Sequence, residues 1–167
     1  NYNEIFNLPK TEDVCYITCS SDYRKVIFEK CKEIHPNTTC IAGFGKIRDD
    51  ILFKHKILIN LSFNKNCNVL EQIRVNRCIY NRMIIISDKK EDFGTDFILN
   101  KYIIYVDYDD IPNKMLDVIN RYQEIYNGDQ NWKSINSSKN TTYDWNDAST
   151  YIKHPPFFDP QNTFNLK

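Results

Sequence analysis

Apolar residues recur along this chain in short runs, separated by stretches of helical period. The alternation is clearest between Lys56 and Asp88. Ile57, Leu58 and Ile59 form one apolar run, and Asn60 to Asn68 is a polar turn region. Val69, Leu70, Ile73, Asn76, Arg77 and Tyr80 then predict an amphipathic helix, with Glu71 and Arg74 on or beside the same turns. Met83 to Ile86 is a second apolar run, closed by Ser87 and Asp88. This spacing predicts a βαβ unit whose strands are apolar enough to be buried on both faces. The polar residues sit where the strands end, which is where a doubly wound sheet binds ligands.

The same alternation runs through the rest of the chain. Asp13 to Cys19 reads as a strand, and Ser20-Ser21-Asp22 as the cap of a helix from Tyr23 to Ile34 with Val26, Ile27, Cys31 and Ile34 as its apolar positions. His35-Pro36 ends that helix. Thr38 to Ala42 is a second strand, closed by Gly43-Phe44-Gly45, and Arg48 to Phe53 a short helix. Glu91 to Asp96 is a charged loop and Tyr102 to Val106 a further strand. A last helix runs from Ile111-Pro112 to Tyr126, with Met115, Leu116, Val118, Ile119, Tyr122 and Ile125 inward and Gly128 just past its end. The fold class is therefore α/β: a three-layer, Rossmann-like domain over 13–128, with a mostly parallel sheet and right-handed crossovers. Residues 1–12 read as an entry segment or linker. Residues 129–167 read as a tail with short helices near 130–135 and 145–153.

Composition narrows the partners. At 167 residues the chain makes one domain with a real core, and 22 basic against 22 acidic residues give no bulk attraction to nucleic acid. No apolar run approaches the ~20 residues of a membrane span. No secretory signal is visible, so a cytoplasmic location is expected. The absence of an initiator Met fits a fragment or a processed chain. Six cysteines, at 15, 19, 31, 40, 67 and 78, include no CxxC, and the three histidines are scattered. They read as reduced residues on interior faces of separate elements, with no metal site. The four sequons, at Asn37, Asn60, Asn136 and Asn140, read as chance products of an Asn-rich chain.

Candidate chemistry collects at the strand ends. Ser20, Ser21, Arg24 and Lys25 open a helix, whose free N–H groups suit phosphate; the plainer reading is a capped helix with solvated basic residues. Gly43 and Gly45 permit positive φ or a close backbone approach beside Phe44, or simply make a turn. Asn60, Ser62 and Phe63 stand at the end of the third strand. Glu71 and Arg74 lie one turn apart, either as a surface pair or as a carboxylate for hydroxyls braced by a guanidinium. Asp88, with Lys89 and Lys90, ends the fourth strand as a polar loop or a ligand contact.

The pieces Lys56-Ile57, Asn60, Leu70-Glu71, Arg74, Asn76 and Ile84-Ile85-Ile86-Ser87-Asp88, with Arg48-Asp49 upstream, resemble the C-terminal domain of a group 1-type GT-B glycosyltransferase over about Asp13 to Tyr126. That resemblance implies a nucleotide-sugar-binding domain of an enzyme that transfers a sugar from a nucleotide-sugar donor to an acceptor. It implies no metal, no cofactor beyond the donor, and a second Rossmann-like domain in the parent chain. It places the donor's diphosphate near Ser20, Ser21 and Arg24, the base near Gly43 and Phe44, and ribose or sugar hydroxyls on Glu71, with Arg74 bracing it or meeting phosphate and Asn60, Ser62 and Asp88 in the same donor pocket. The chain departs from the pattern at Leu61-Ser62-Phe63-Asn64, where relatives carry a histidine and aromatics. It departs again at Ile79, where a second glutamate belongs, and at Asp88, where glutamate is common. The alternative is a non-catalytic α/β interaction domain that kept the half-fold and lost the donor.

Overall fold

A computed structural model describes residues 8–18, 20–67, 72–89 and 103–126. Five parallel strands form its centre: β1 (Glu12–Ile17), β2 (Thr39–Ile41), β3 (His55–Asn60), β4 (Ile84–Asp88) and β5 (Ile103–Val106). Their order is β2-β1-β3-β4-β5. The apolar runs explain that order. Ile57, Leu58 and Ile59 pair in register with Ile84, Ile85 and Ile86, and all six are buried. Strands covered on both faces need such continuous apolar sequence, and β3 and β4 have it. β2, at the edge, is three residues long and buries only Ile41.

The helices follow from the turns. In α1 (Asp22–Ile34) the Ser21 hydroxyl accepts the Arg24 N–H at 3.3 Å, so the predicted cap forms. The helix stops at His35, before Pro36, with the His35 N–H on the Cys31 carbonyl. α2 (Gly45–Leu52), α3 (Gln72–Tyr80), α4 (Ile111–Asn120) and α5 (Tyr122–Tyr126) complete the set. The chain steps from β1 to β2 in one direction and from β3 through β4 to β5 in the other. Right-handed crossovers therefore put α1 on one face of the sheet and α2 and α3 on the other. α4 returns to pack on α1. The reversal of direction lies between β1 and β3, and the crevice it opens is at their carboxyl ends.

All five predicted strands form and pair in parallel. The helix phases need correction. α3 buries Val75, Cys78 and Ile79, whereas Asn76 and Arg77 are half-buried; a pattern counted from Val69 set the apolar stripe one step out of phase. The predicted helix to Tyr126 is two helices, because Arg121 leaves helical geometry between them. Val26 and Ile34, apolar positions of the first predicted helix, and Leu116, assigned to an inner face, are exposed. The tail, the 91–96 loop, and Val69, Leu70 and Glu71 lie outside the described residues.

Cys15, Cys31 and Cys78 are buried, Cys67 is half-buried, and all five described cysteines are unpaired. Cys40 departs from expectation: it is exposed, because an edge strand has one uncovered face. Burial raises the thiols of Cys31 to about 11 and Cys78 to about 12, which keeps both protonated. Cys19 lies outside the described residues. Among the described residues no helix is long and apolar enough to cross a membrane, and no three His, Cys, Asp or Glu side chains converge as metal ligands.

Candidate functional site

The carboxyl edge of the sheet is built around Asp88. This carboxylate ends β4 and is buried. Its Oδ1 accepts the Ser62 backbone N–H at 3.0 Å and the Ser62 hydroxyl at 3.3 Å. Its Oδ2 accepts the Tyr23 hydroxyl at 3.2 Å. Burial, then the charge of Asp88, holds the Tyr23 phenol well above its usual range, so it stays a donor. Tyr23 stacks on Tyr108 with ring centroids 4.1 Å apart, and the Tyr108 hydroxyl donates to the Tyr23 carbonyl. One carboxylate thus ties β4, the end of β3 and α1, and Tyr23 carries the link on to the turn after β5.

Arg24 closes the same edge from above. It is buried, and its Nε–H donates to the carbonyls of Leu61 at 3.0 Å and Ser62 at 3.2 Å. Its guanidinium lies over the Phe63 ring, 5.8 Å from the centroid. Asn60, also buried, donates from Nδ2 to the Ser87 hydroxyl at 3.2 Å, and its Oδ1 has no hydrogen-bond partner among the described residues. Thr18, just past β1, has φ 58. A β-branched residue is strained there, and its N–H is held on the Ile41 carbonyl at 3.1 Å.

These placements sort the candidates. Ser20 is exposed and Ser21 half-buried at the amino end of α1, beside the switch point. Ser62 and Asp88 do come together, but they bond to each other, with Tyr23 also on Asp88, and Asn60 bonds to Ser87. Gly43 has φ 95, as the turn reading requires, and Phe44 is exposed. Both follow β2, which two strands separate from β4, a span of about 14 Å at strand spacing. They belong to a different part of the edge from Asp88. Arg74 is half-buried in the first turn of α3, and Glu71 lies outside the described residues. Sequence reasoning missed Thr18, Tyr23 and Tyr108. For Tyr23 there was a signal: a buried Asp88 needs donors, and a tyrosine in the first turn of the neighbouring helix is one.

The amino edge carries a second polar set. Asp13 pairs with Lys56 at 2.6 Å and His35 at 3.2 Å. Asp49 of α2, buried, pairs with Arg48 at 2.9 Å and with Arg77 of α3. Lys10 donates to the Phe53 carbonyl at 2.7 Å, and burial pushes its ammonium down to about 8. His55 is buried with Nδ1 against the Ile51 carbonyl at 3.0 Å, and burial lowers its pKa.

No family model matches the chain. Curated proteins do. The chain is similar to aconitate hydratase A. With that enzyme from Legionella pneumophila it is 32% identical over an alignment of 146 residues that covers 73% of this chain and 16% of the enzyme. The Pseudomonas aeruginosa enzyme is 47% identical over 38 residues, 23% of this chain and 4% of the enzyme. An uncharacterized protein of Acanthamoeba polyphaga mimivirus is 28% identical over an alignment of 134 residues that covers 75% of this chain and 47% of that protein. The chain thus spans about a sixth of the first relative and under half of the mimivirus protein. These relatives overturn the glycosyltransferase assignment, and the nucleotide-sugar donor falls with it. The resemblance rested on the order of strand, turn and helix and on polar residues at strand ends. Any open parallel sheet has those features, whatever it binds.

Proposed function

We propose that this chain is an aconitate hydratase-related α/β domain that binds a small polycarboxylate anion at the carboxyl edge of its sheet. The observation that carries the reading is the 32% identity with the Legionella pneumophila aconitate hydratase A across 73% of this chain. The chain spans 16% of that enzyme, so the reading assigns it binding and leaves hydration to a longer parent. Physical chemistry supports the place. The switch point between β1 and β3 is the ordinary ligand crevice of an open parallel sheet. The 13-residue α1 points its amino end there, with Ser20 and Ser21 beside its free N–H groups, and a carboxylate suits that end of a helix.

The test is an amide-resolved NMR titration of the whole chain with cis-aconitate, citrate and the neutral trimethyl ester of aconitate. The acids shift the amides of Thr18, Ser20, Ser21 and Ser62 as one group, and the ester does not. No shift up to about 10 mM, a ceiling near 3 kcal/mol of binding free energy, or shifts centred elsewhere, ends the reading.

A further inference from the structure

Phe44, Ile47 and Ile51 are 91%, 81% and 47% exposed. Ile47 and Ile51, four residues apart, line one side of α2, and Phe44 stands in extended backbone just before its amino end. The opposite side carries Asp49 and Leu52 into the protein. Single exposed apolar residues need no explanation, but a continuous stripe does. Lys46 and Asp50 flank it on one side, 2.8 Å apart, with their side chains 85% and 50% exposed.

We propose that this stripe is a self-association surface on which α2 packs antiparallel against α2 of a second copy of the chain. Charge selects the occupant. A two-fold axis across the helix turns the Lys46–Asp50 flank onto itself head to tail. Lys46 then faces Asp50 of the second copy, and Asp50 faces its Lys46. The same operation brings Phe44 to the end of the helix that carries Ile51. A closed, isologous pair results, in which one patch complements itself. The patch is small beside the ~800 Å² that each partner gives to a standard interface, so the dimer is weak. It does not depend on the polycarboxylate reading.

Sedimentation equilibrium of the whole chain over a concentration series tests it. The average mass rises from 19.9 kDa toward twice that value as concentration increases. Ile47→Asp, at an exposed position that leaves the circular dichroism spectrum unchanged, raises the dissociation constant about tenfold or more. Lys46→Asp and Asp50→Lys each weaken the dimer, the double variant recovers it, and a mixture of the two single variants associates more tightly than either alone. A chain still monomeric at about 1 mM, the weak end of specific association, overturns the proposal. So does an Ile47→Asp dimer of unchanged strength, or a double variant no stronger than the singles.

Discussion

The two ends of this sheet are both polar, yet they are held by different chemistry. At the amino end Asp13 pairs with Lys56 and bonds to His35, and Asp49 pairs with Arg48 and Arg77, beside the bonds of Lys10 and His55 to backbone carbonyls. At the carboxyl end the described contacts of Asp88 are a backbone N–H and two hydroxyls, and the Arg24 Nε–H faces carbonyls. Ion pairs between side chains neutralise each other and close a surface. The described donors to Asp88 are neutral, a backbone N–H and two hydroxyls. The strained Thr18 and the Asn60 Oδ1, without a partner among the described residues, also lie at the carboxyl end. The amino end has its own left-handed residue, Arg82, and its own atoms without a partner among the described residues, His55 Nε2, Asn81 Oδ1 and Arg82 Nε, but also the ion pairs. The difference teaches that polarity at a strand end does not by itself mark a site.

The largest effect should come from removing the centre of the carboxyl edge. Asp88→Ala leaves the Ser62 N–H and the Tyr23 hydroxyl without their acceptor inside the fold. Hydrogen bonds to a buried charge are worth about 1.5–3 kcal/mol each, so the loss is about 3–5 kcal/mol in urea denaturation. Asp88→Asn keeps an acceptor and removes the charge, and loses about 1–2 kcal/mol. Equal losses for both variants would mean that the carboxylate charge contributes nothing there, and the contrast between the two ends would fail.

Asp49 tests the ionic end. It is buried between Arg48 and Arg77, and the second of these joins α2 to α3. Asp49→Ala leaves two guanidinium groups facing each other across partly dry surface. Removing one partner of a fully buried pair costs 3–5 kcal/mol; the side chain of Arg77 is 37% exposed, so about 2–3 kcal/mol is expected. Asp49→Asn recovers hydrogen bonding without charge and falls between. A loss below about 0.5 kcal/mol would show a solvent-screened surface pair.

Much of this architecture was legible in the chain. Continuous apolar runs such as Ile57–Ile59 and Ile84–Ile86 have one stable use in a domain of this size, the buried strand of a parallel sheet. Ser21 and Pro36 mark a helix start and stop by stereochemistry alone. The phase of α3 was less legible, because Asn76 and Arg77 have aliphatic or compact bodies that mimic an inner face when counted from Val69. The site was least legible. Asp88 and Ser62 are 26 residues apart, and Tyr23 and Asp88 are 65 apart, so no local pattern joins them. The ionic amino end left no sequence signal for the same reason: Asp13 and Lys56 meet only because β1 and β3 are neighbours.

The smallest effect is the most diagnostic, because its pH dependence separates charge from packing. The bond from Lys56, opposed by burial and helped by the charges of Lys56 and His35, holds the Asp13 carboxyl below its usual value of 3.8. A carboxyl whose pKa is depressed on folding stabilises the protein fully above the unfolded pKa and loses that contribution as pH falls through the folded pKa. The Asp13–Lys56 pair therefore contributes its whole stabilisation at pH 5 and above. That contribution declines below about pH 4, where the unfolded carboxyl already holds a proton. The side chains of Lys56 and Asp13 are 28% and 27% exposed, which limits the pair to about 1 kcal/mol. Lys56→Met keeps the aliphatic stem over the Tyr122 ring, where the ammonium now lies 5.4 Å from the centroid, and removes the charge. Urea denaturation of both proteins at pH 7, 5 and 3.5 should show a constant gap at the first two and a smaller one at the third. A gap that stays the same at pH 3.5 would mean that Lys56 acts through packing alone, and the ionic character of the amino end would then rest on Asp49 with Arg48 and Arg77.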